Sequence, residues 1–236
     1  MRLDKLLSVA GMTRTEAKRA VAAGRVQING VPARDPGAHV KETDVLLDGR
    51  PVTPPGELYL MLNKPAGILT ATKDARQPTV LSLLPEAFRK RSPGPVGRLD
   101  KDVTGLLFLT TDGQLAHRLI SPRWAVEKRY RAEIEGAICQ RDIEAFAQGL
   151  VLSDFVARPA KLFSLGEGLA EVLVTEGKFH QVKRMFAAIG HPVIRLERLE
   201  MAGIALDPSL APGAYRELSD EEITHLYQTV QLERTQ

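Results

Sequence analysis

GRLDKDVTGLLFLTTDG, running from Gly97 to Gly113, holds two kinds of chemistry side by side. Residues 105–110 form an apolar run bounded by turn residues, the length expected of a buried strand. Ahead of it, between Gly97 and Gly105, lies a turn-like cluster of charges in which Asp100 sits beside Arg98, Lys101 and Thr104. A carboxylate paired with a cation keeps its negative form near neutral pH and is held in one direction, as an oxygen nucleophile must be. From these residues alone Asp100 is equally a structural loop cap. Asp102 competes on the same grounds, and Asp112-Gly113 reads as a turn.

Outward from this stretch most segments look like strands. LYLMLNKPAG opens with one that Pro65 and Gly67 end, and others are expected at 128–135, 170–176 and 192–201. Helical signals interrupt them at 112–120, 140–148 and 179–189. The pattern is α+β with mixed pairing, because the regular alternation of a doubly wound dinucleotide fold is missing. In EGKFHQVKRMFAAIG, 176–190, the helix buries Val182, Phe186 and Ile189 and turns Lys183 and Arg184 more towards the other side. Cations at a helix start run against the dipole preference and gain from a nearby carboxylate or phosphate, so Lys183 is read as partner to a loop carboxylate. His180 is read as a positioning or RNA-contacting group ahead of a general base. Tyr130 is either core packing or a stacking platform for a base, and Trp124 packs a loop or meets nucleic acid.

The first fifty residues form a separate basic unit. From Met1 to Arg34 seven cations (Arg2, Lys5, Arg14, Lys18, Arg19, Arg25 and Arg34) face two carboxylates, a net +5 against +3 for all 236 residues. Thr13 and Glu16 have capping-box spacing, and Asn29-Gly30 between short apolar runs signals a hairpin. The Pro- and Gly-rich stretch 49–56 is read as a linker, placing a small domain at 1–48, a larger one at 57–230 and a polar tail at 231–236. A second basic segment, 87–131, carries ten cations against four acids. Two basic regions suit a long polyanion better than a small phosphate ligand; a solvated basic surface without a ligand is the bland alternative. One cysteine, no signal peptide and no membrane-length apolar run lead to the expectation of a cytoplasmic protein without disulfides. Five histidines without a zinc pattern and no phosphate-cradling loop lead to the expectation of no metal and no organic cofactor.

Together these motifs resemble the bacterial RsuA-type pseudouridine synthases, which modify one uridine of small-subunit ribosomal RNA. MRLDKLL, TRTEAKRAVAAGRVQING and DVLLDG resemble an S4 RNA-binding domain. LYLMLNKPAGILT, GRLDKDVTGLLFLTTDG, EKRY and EGKFHQVKRMFAAIGHPVIRLERLEMAGIAL resemble the catalytic domain in order, over essentially the whole chain. The resemblance implies a mixed, largely antiparallel sheet with a central cleft. It makes Asp100 the catalytic aspartate, Tyr130 the ring that stacks on the target and helps remove a proton, and Lys183 the basic partner of Asp100. Val182 would line the base pocket, with Arg98 and Arg184 as further substrate contacts. Arg2, Lys5, Arg14, Lys18, Arg19 and Arg25 would bind RNA. It implies 16S rRNA as partner, in a small-subunit assembly intermediate, and a monomeric enzyme; a large-subunit rRNA synthase and a noncatalytic ribosome-assembly factor are the alternatives. One departure stands out: the family commonly has Thr-Thr-Gly after GRLDxx, and this chain has Val103-Thr104-Gly105.

Overall fold

The protein is described here by a computed structural model covering residues 1–41, 44–52 and 56–234. It divides into two units, Met1–Glu57 and Leu58–Gln236.

In the first unit, helices α1 (Leu3–Val9) and α2 (Arg14–Ala22) accompany a four-stranded sheet of β1 (Val26–Ile28), β2 (Val31–Pro32), β3 (Val45–Leu47) and β4 (Arg50–Pro51), in the order β2-β1-β3-β4. The capping box starts α2: Thr13 Oγ1 accepts from the Glu16 amide, and Glu16 accepts from the Thr13 amide at 2.6 Å. Ala17, Ala20 and Val21 then face a small core with Leu3, Leu6, Leu7, Val26 and Val45. Asn29 and Gly30 both have positive φ, 50° and 79°, and close the β1–β2 hairpin in the manner an Asn-Gly pair favours. The stretch read as linker is shorter than expected. Arg50–Pro51 pairs with β3 and Val52 is buried in the core, because a strand edge tolerates Pro and Gly where a sheet centre does not; residues 53–55 lie outside the described residues.

The second unit is built on one sheet in the order β13-β5-β7-β11-β8-β10-β9, with β6 (Gly94–Pro95) added to β7 and β12 (Ile204–Ala205) to β11. The strands are β5 (Tyr59–Lys64), β7 (Thr104–Thr110), β8 (Lys128–Ile134), β9 (Lys161–Ser164), β10 (Leu169–Val174), β11 (Val193–Met201) and β13 (Tyr215–Glu217). Neighbours along this path pair antiparallel except β7 with β11, which run parallel with Thr104 opposite Glu197 and Gly105 opposite Arg198. β5 and β7 are buried almost throughout, whereas β8 and β10 alternate buried and open positions. One apolar cluster, including Leu60, Leu107, Val172 and Phe186, packs on one set of side chains. The other, including Met61, Phe108, Leu119 and Leu226, takes the opposite set.

Helices α3 (Glu86–Arg91), α4 (Gly113–Ile120), α5 (Gln140–Gln148), α6 (Gln181–Ala188) and α7 (Asp220–Thr229) complete the unit. Asp112, expected in a simple turn, caps α4 by accepting from the amides of Gln114 and Leu115, and also takes the Tyr227 hydroxyl. The tail returns to the domain: Leu232 packs on the second cluster and Arg234 bonds Asp220 at 2.9 Å. Among the described residues no helix is long and apolar enough to cross a membrane.

Candidate active site

The loop before β7 is fastened by the segment that follows β5. Lys64, fully buried, donates from Nζ to three carbonyls: Pro65 at 3.0 Å, Lys101 at 3.2 Å and Val103 at 2.8 Å. Thr70 holds Leu99 from both sides, Oγ1 donating to its carbonyl at 2.7 Å and accepting from its amide at 3.3 Å. The Gly67 amide donates to the Lys101 carbonyl at 2.7 Å. Burial pushes Lys64 down to about 8, against the opposing pull of Asp102 and Asp100. Val103 is buried in the core beneath this loop; its side chain packs as hydrocarbon, its carbonyl accepts from Lys64 and its amide donates to the Asp100 carbonyl at 3.1 Å.

At the other end of the loop Gly105 has φ +96°, and a Cβ there would stand 2.3 Å from the Arg198 carbonyl oxygen. Only glycine allows β7 and β11 to approach at this point.

Asp100 faces a cleft enclosing about 460 Å³, open mouth included. Tyr130, Val182, Leu196 and Val174 give it apolar walls, while Arg98, His180 and Lys183 bring charge and hydrogen-bonding groups to it. Tyr130 is 8% exposed and belongs at once to the core cluster and to the cleft wall. Arg98 is exposed, and its side chain has no hydrogen-bond or ion-pair partner among the described residues.

Lys183 departs from expectation. Its ammonium donates to both oxygens of Asp102, at 2.7 and 2.6 Å, and stands 3.9 Å from Asp100 Oδ2, an ion pair outside hydrogen-bond reach. Asp102 lies only two residues along the same turn and reaches the first turn of α6 more directly. The Lys183 hydrogen bond holds its carboxyl below the usual carboxylate range. His180 Nε2 lies 3.5 Å from Asp100 Oδ1. Arg184 is not in the cleft wall. One residue further around α6, about 100° away, it bonds Ser153 at 3.0 Å, pairs with Asp154 and lies over the Phe155 ring.

Two groups escape sequence reading. Glu176 is a buried carboxylate in the cleft wall whose Oε1 accepts from Gln181 Nε2 at 2.7 Å and the Arg158 amide at 2.8 Å. Arg198, 1% exposed, donates from Nε to the Leu106 carbonyl at 2.7 Å and from Nη1 towards the Tyr130 hydroxyl at 3.5 Å. Both lie in the quoted motif from Glu176 to Leu206, yet nothing there singles them out; the one signal for Arg198 is a cation in a strand that otherwise reads as alternating.

Cation counts also overstate what is free. In the 87–131 segment Arg129 pairs with Glu171 and Glu200, Arg131 with Glu171, and Lys90 with Glu86. Lys128 is buried, and Arg118 donates to the Val230 and Gln231 carbonyls while lying over Trp124. In the first unit Arg2 and Arg25 pair with Asp4 and Asp48. The side chains of Lys5, Arg14, Lys18 and Arg19 have no hydrogen-bond or ion-pair partner among the described residues, and those of Arg14, Lys18 and Arg19 are exposed. Among those residues no cluster of three or more His, Cys, Asp or Glu could hold a metal ion.

The family model for RNA pseudouridylate synthases matches residues 58–188, and that for the S4 domain matches residues 1–46. A Bacillus subtilis protein named uncharacterized RNA pseudouridine synthase YtzG is 46% identical over 231 residues, covering 94% of this chain and 97% of its own length. Ribosomal small subunit pseudouridine synthase A of Escherichia coli K12 is 41% identical, covering 94% of this chain and 98% of its own. A crystal structure of a pseudouridylate synthase superposes with a TM-score of 0.70 at 35% identity, covering 96% of this chain and 99% of its own. With an S4 domain in its first unit and this cleft in its second, the chain belongs to the RNA pseudouridylate synthase family.

Proposed function

We propose that the protein isomerises one uridine of 16S rRNA to pseudouridine, at the RsuA-type target, 516 in the usual numbering of that RNA. The observation that carries this reading is Asp100, fixed by Lys64 and Thr70 at the wall of a cleft that Tyr130 and Val182 line. The similarity to the small-subunit enzyme of Escherichia coli over nearly the full length supports the choice of RNA.

The reaction breaks the N1–C1′ bond, forms C5–C1′, moves the C5 proton away and returns a proton to N1. Atoms and charge balance without an oxidant, reductant or phosphoryl donor. Asp100 initiates it, by attack at C1′, attack at C6 or proton removal leading to a glycal. Lys183, already within ion-pair range, orients that carboxylate and tightens on it at the expense of Asp102. The freed uracil turns between apolar walls, where Tyr130 restrains it and its hydroxyl relays the C5 proton, giving up its own proton as it takes that one. Arg198 holds that hydroxyl from behind.

A base stacked in a helix cannot reach Asp100, so the target enters flipped out, at a cost of a few kcal/mol that is smaller in a loop. Arg98 is placed to meet the extruded nucleotide or its phosphate. The exposed cations of the first unit hold surrounding RNA through phosphate attraction. The substrate is a small-subunit assembly intermediate in the cytoplasm, and the enzyme acts as a monomer.

Pseudouridine mapping in total rRNA from cells with and without the protein tests the reading. One small-subunit site should disappear with the protein. A lost large-subunit site would move the enzyme to the other subunit, and an unchanged map would leave a noncatalytic RNA-binding factor.

A further inference from the structure

Phe179 lies in the chain between two residues that line the cleft, Lys178 and His180, and is 76% exposed. A lone exposed apolar residue needs no explanation in general, but this one is held in place. One face of its ring lies on His180, with centroids 3.8 Å apart and planes 19° from parallel. With 76% of the residue exposed, ring surface remains that His180 does not cover. His180 in turn reaches Asp100, so the stack begins at the reacting carboxylate and runs outward.

The turn beneath it is built from buried parts. Gln181 Oε1 accepts from the Lys178 amide at 2.9 Å, and its Nε2 donates to buried Glu176. His180 adopts a left-handed conformation, φ 50° and ψ 27°, which a residue with a Cβ avoids unless its surroundings impose it. Cations line the same cleft: Arg98, unpartnered among the described residues, and Lys178, which lies over the Phe155 ring at 3.9 Å.

We infer that the Phe179–His180 pair is a stacking platform for an unpaired RNA base adjacent to the target uridine. The inference rests on the proposed RNA-modifying role. Withdrawing the target from its stack uncovers the face of a neighbouring base, and an aromatic ring beside the cleft covers it again without reading its sequence. The adjoining cations suit the phosphates on either side of such a base.

The test uses the full-length protein and the rRNA fragment containing the site it modifies, with Phe179→Ala, Phe179→Leu and Phe179→Trp. Single-turnover modification is followed over a range of RNA concentrations. In Ala and Leu the half-saturating RNA concentration should rise about tenfold or more, the range of base–aromatic stacking, while the saturating rate falls less. Trp should restore binding, and its fluorescence should be quenched by RNA. Half-saturation unchanged in Ala, or Leu matching Trp, would overturn the platform and leave a general apolar contact. Absence of modification by the wild type would instead overturn the functional reading. Phe179 is too exposed for its replacement to unfold the chain.

Discussion

The loop carrying Asp100 and the helix α2 carrying Lys18 and Arg19 both hold charged side chains, yet they are constructed in opposite ways. In the loop, two carbonyls converge on one buried ammonium, one threonine holds the residue before the aspartate by two bonds, and a glycine permits an approach that no other residue does. On α2 the cations stand in solvent, and only the apolar face and the capping box are specified. Bond rearrangement demands a carboxylate placed to within a fraction of an ångström, whereas attraction to a polyanion needs a field and little more. Substitutions in the first region should therefore act singly and steeply, those in the second weakly and additively.

The largest effect is expected at the reacting group. Asp100→Asn should lower the single-turnover rate by about 10⁴-fold or more while RNA binding persists. Asp102→Asn should stay within about threefold of wild type, since losing it releases Lys183 to Asp100. Equal losses in the two variants would erase the distinction between them.

Next comes the seam. Gly105→Ala sets a Cβ against the Arg198 backbone at a positive φ, and should cost about 4 kcal/mol or more of stability in denaturant unfolding. An unchanged midpoint would mean that the strands yield freely.

A smaller effect follows from Lys64. As pH rises through about 8 its ammonium loses one of three donors, and the saturating rate should fall severalfold as the loop slackens. Between about 8 and the ordinary lysine value the unfolded chain holds more protons than the folded one, so this group's contribution to stability rises with pH over that window. Activity should fall without any loss of melting temperature attributable to it. Lys128, also pushed down to about 8, chiefly by burial, bonds the Val126 carbonyl rather than the loop, and Lys128→Met should keep the same limb. Its disappearance there would reassign the titration.

The smallest change belongs to α2. Replacing Lys18 and Arg19 by Gln should weaken RNA binding a few-fold at moderate salt and reduce the salt slope by about one for each phosphate no longer neutralised. A fall in saturating rate as large as that of a loop variant would show that this helix also aligns the substrate.

What the sequence makes legible follows the same division. The capping box, the Asn-Gly hairpin and the strands around residues 105–110, 128–135 and 192–201 are local patterns, and each appears where its period or turn residues put it. Asp100, Tyr130 and Val182, which line the cleft, are marked out by the family resemblance, since the residues alone leave Asp100 and Tyr130 open and read Val182 as helix core. Helix α7 is absent from the sequence reading even though Ser219 and Glu222 form its capping box. The partner of Lys183 comes out differently because two carboxylates in one turn differ by about an ångström in reach, a matter decided in three dimensions. Arg198 is invisible for a related reason, since its partners Leu106 and Tyr130 come from other strands, and Glu176 because a loop amide and the start of α6 close around it. Free charge is overcounted because a composition sum cannot tell a cation paired across a sheet, such as Arg129, from one left in solvent.

The parallel join of β7 to β11 also orders events in time. During synthesis the aspartate loop emerges first, and Tyr130, Lys183 and Arg198 all follow. Pairing Gly105 with Arg198 closes a long loop of chain, and contacts of such separation form late in folding. After dilution from denaturant, modification activity should return with the slowest folding phase, behind the local helices and hairpins. Until that join closes, Asp100 is carried by a chain that has not yet gathered Tyr130 and Lys183 around it. The nascent chain thus has the loop long before it has the cleft.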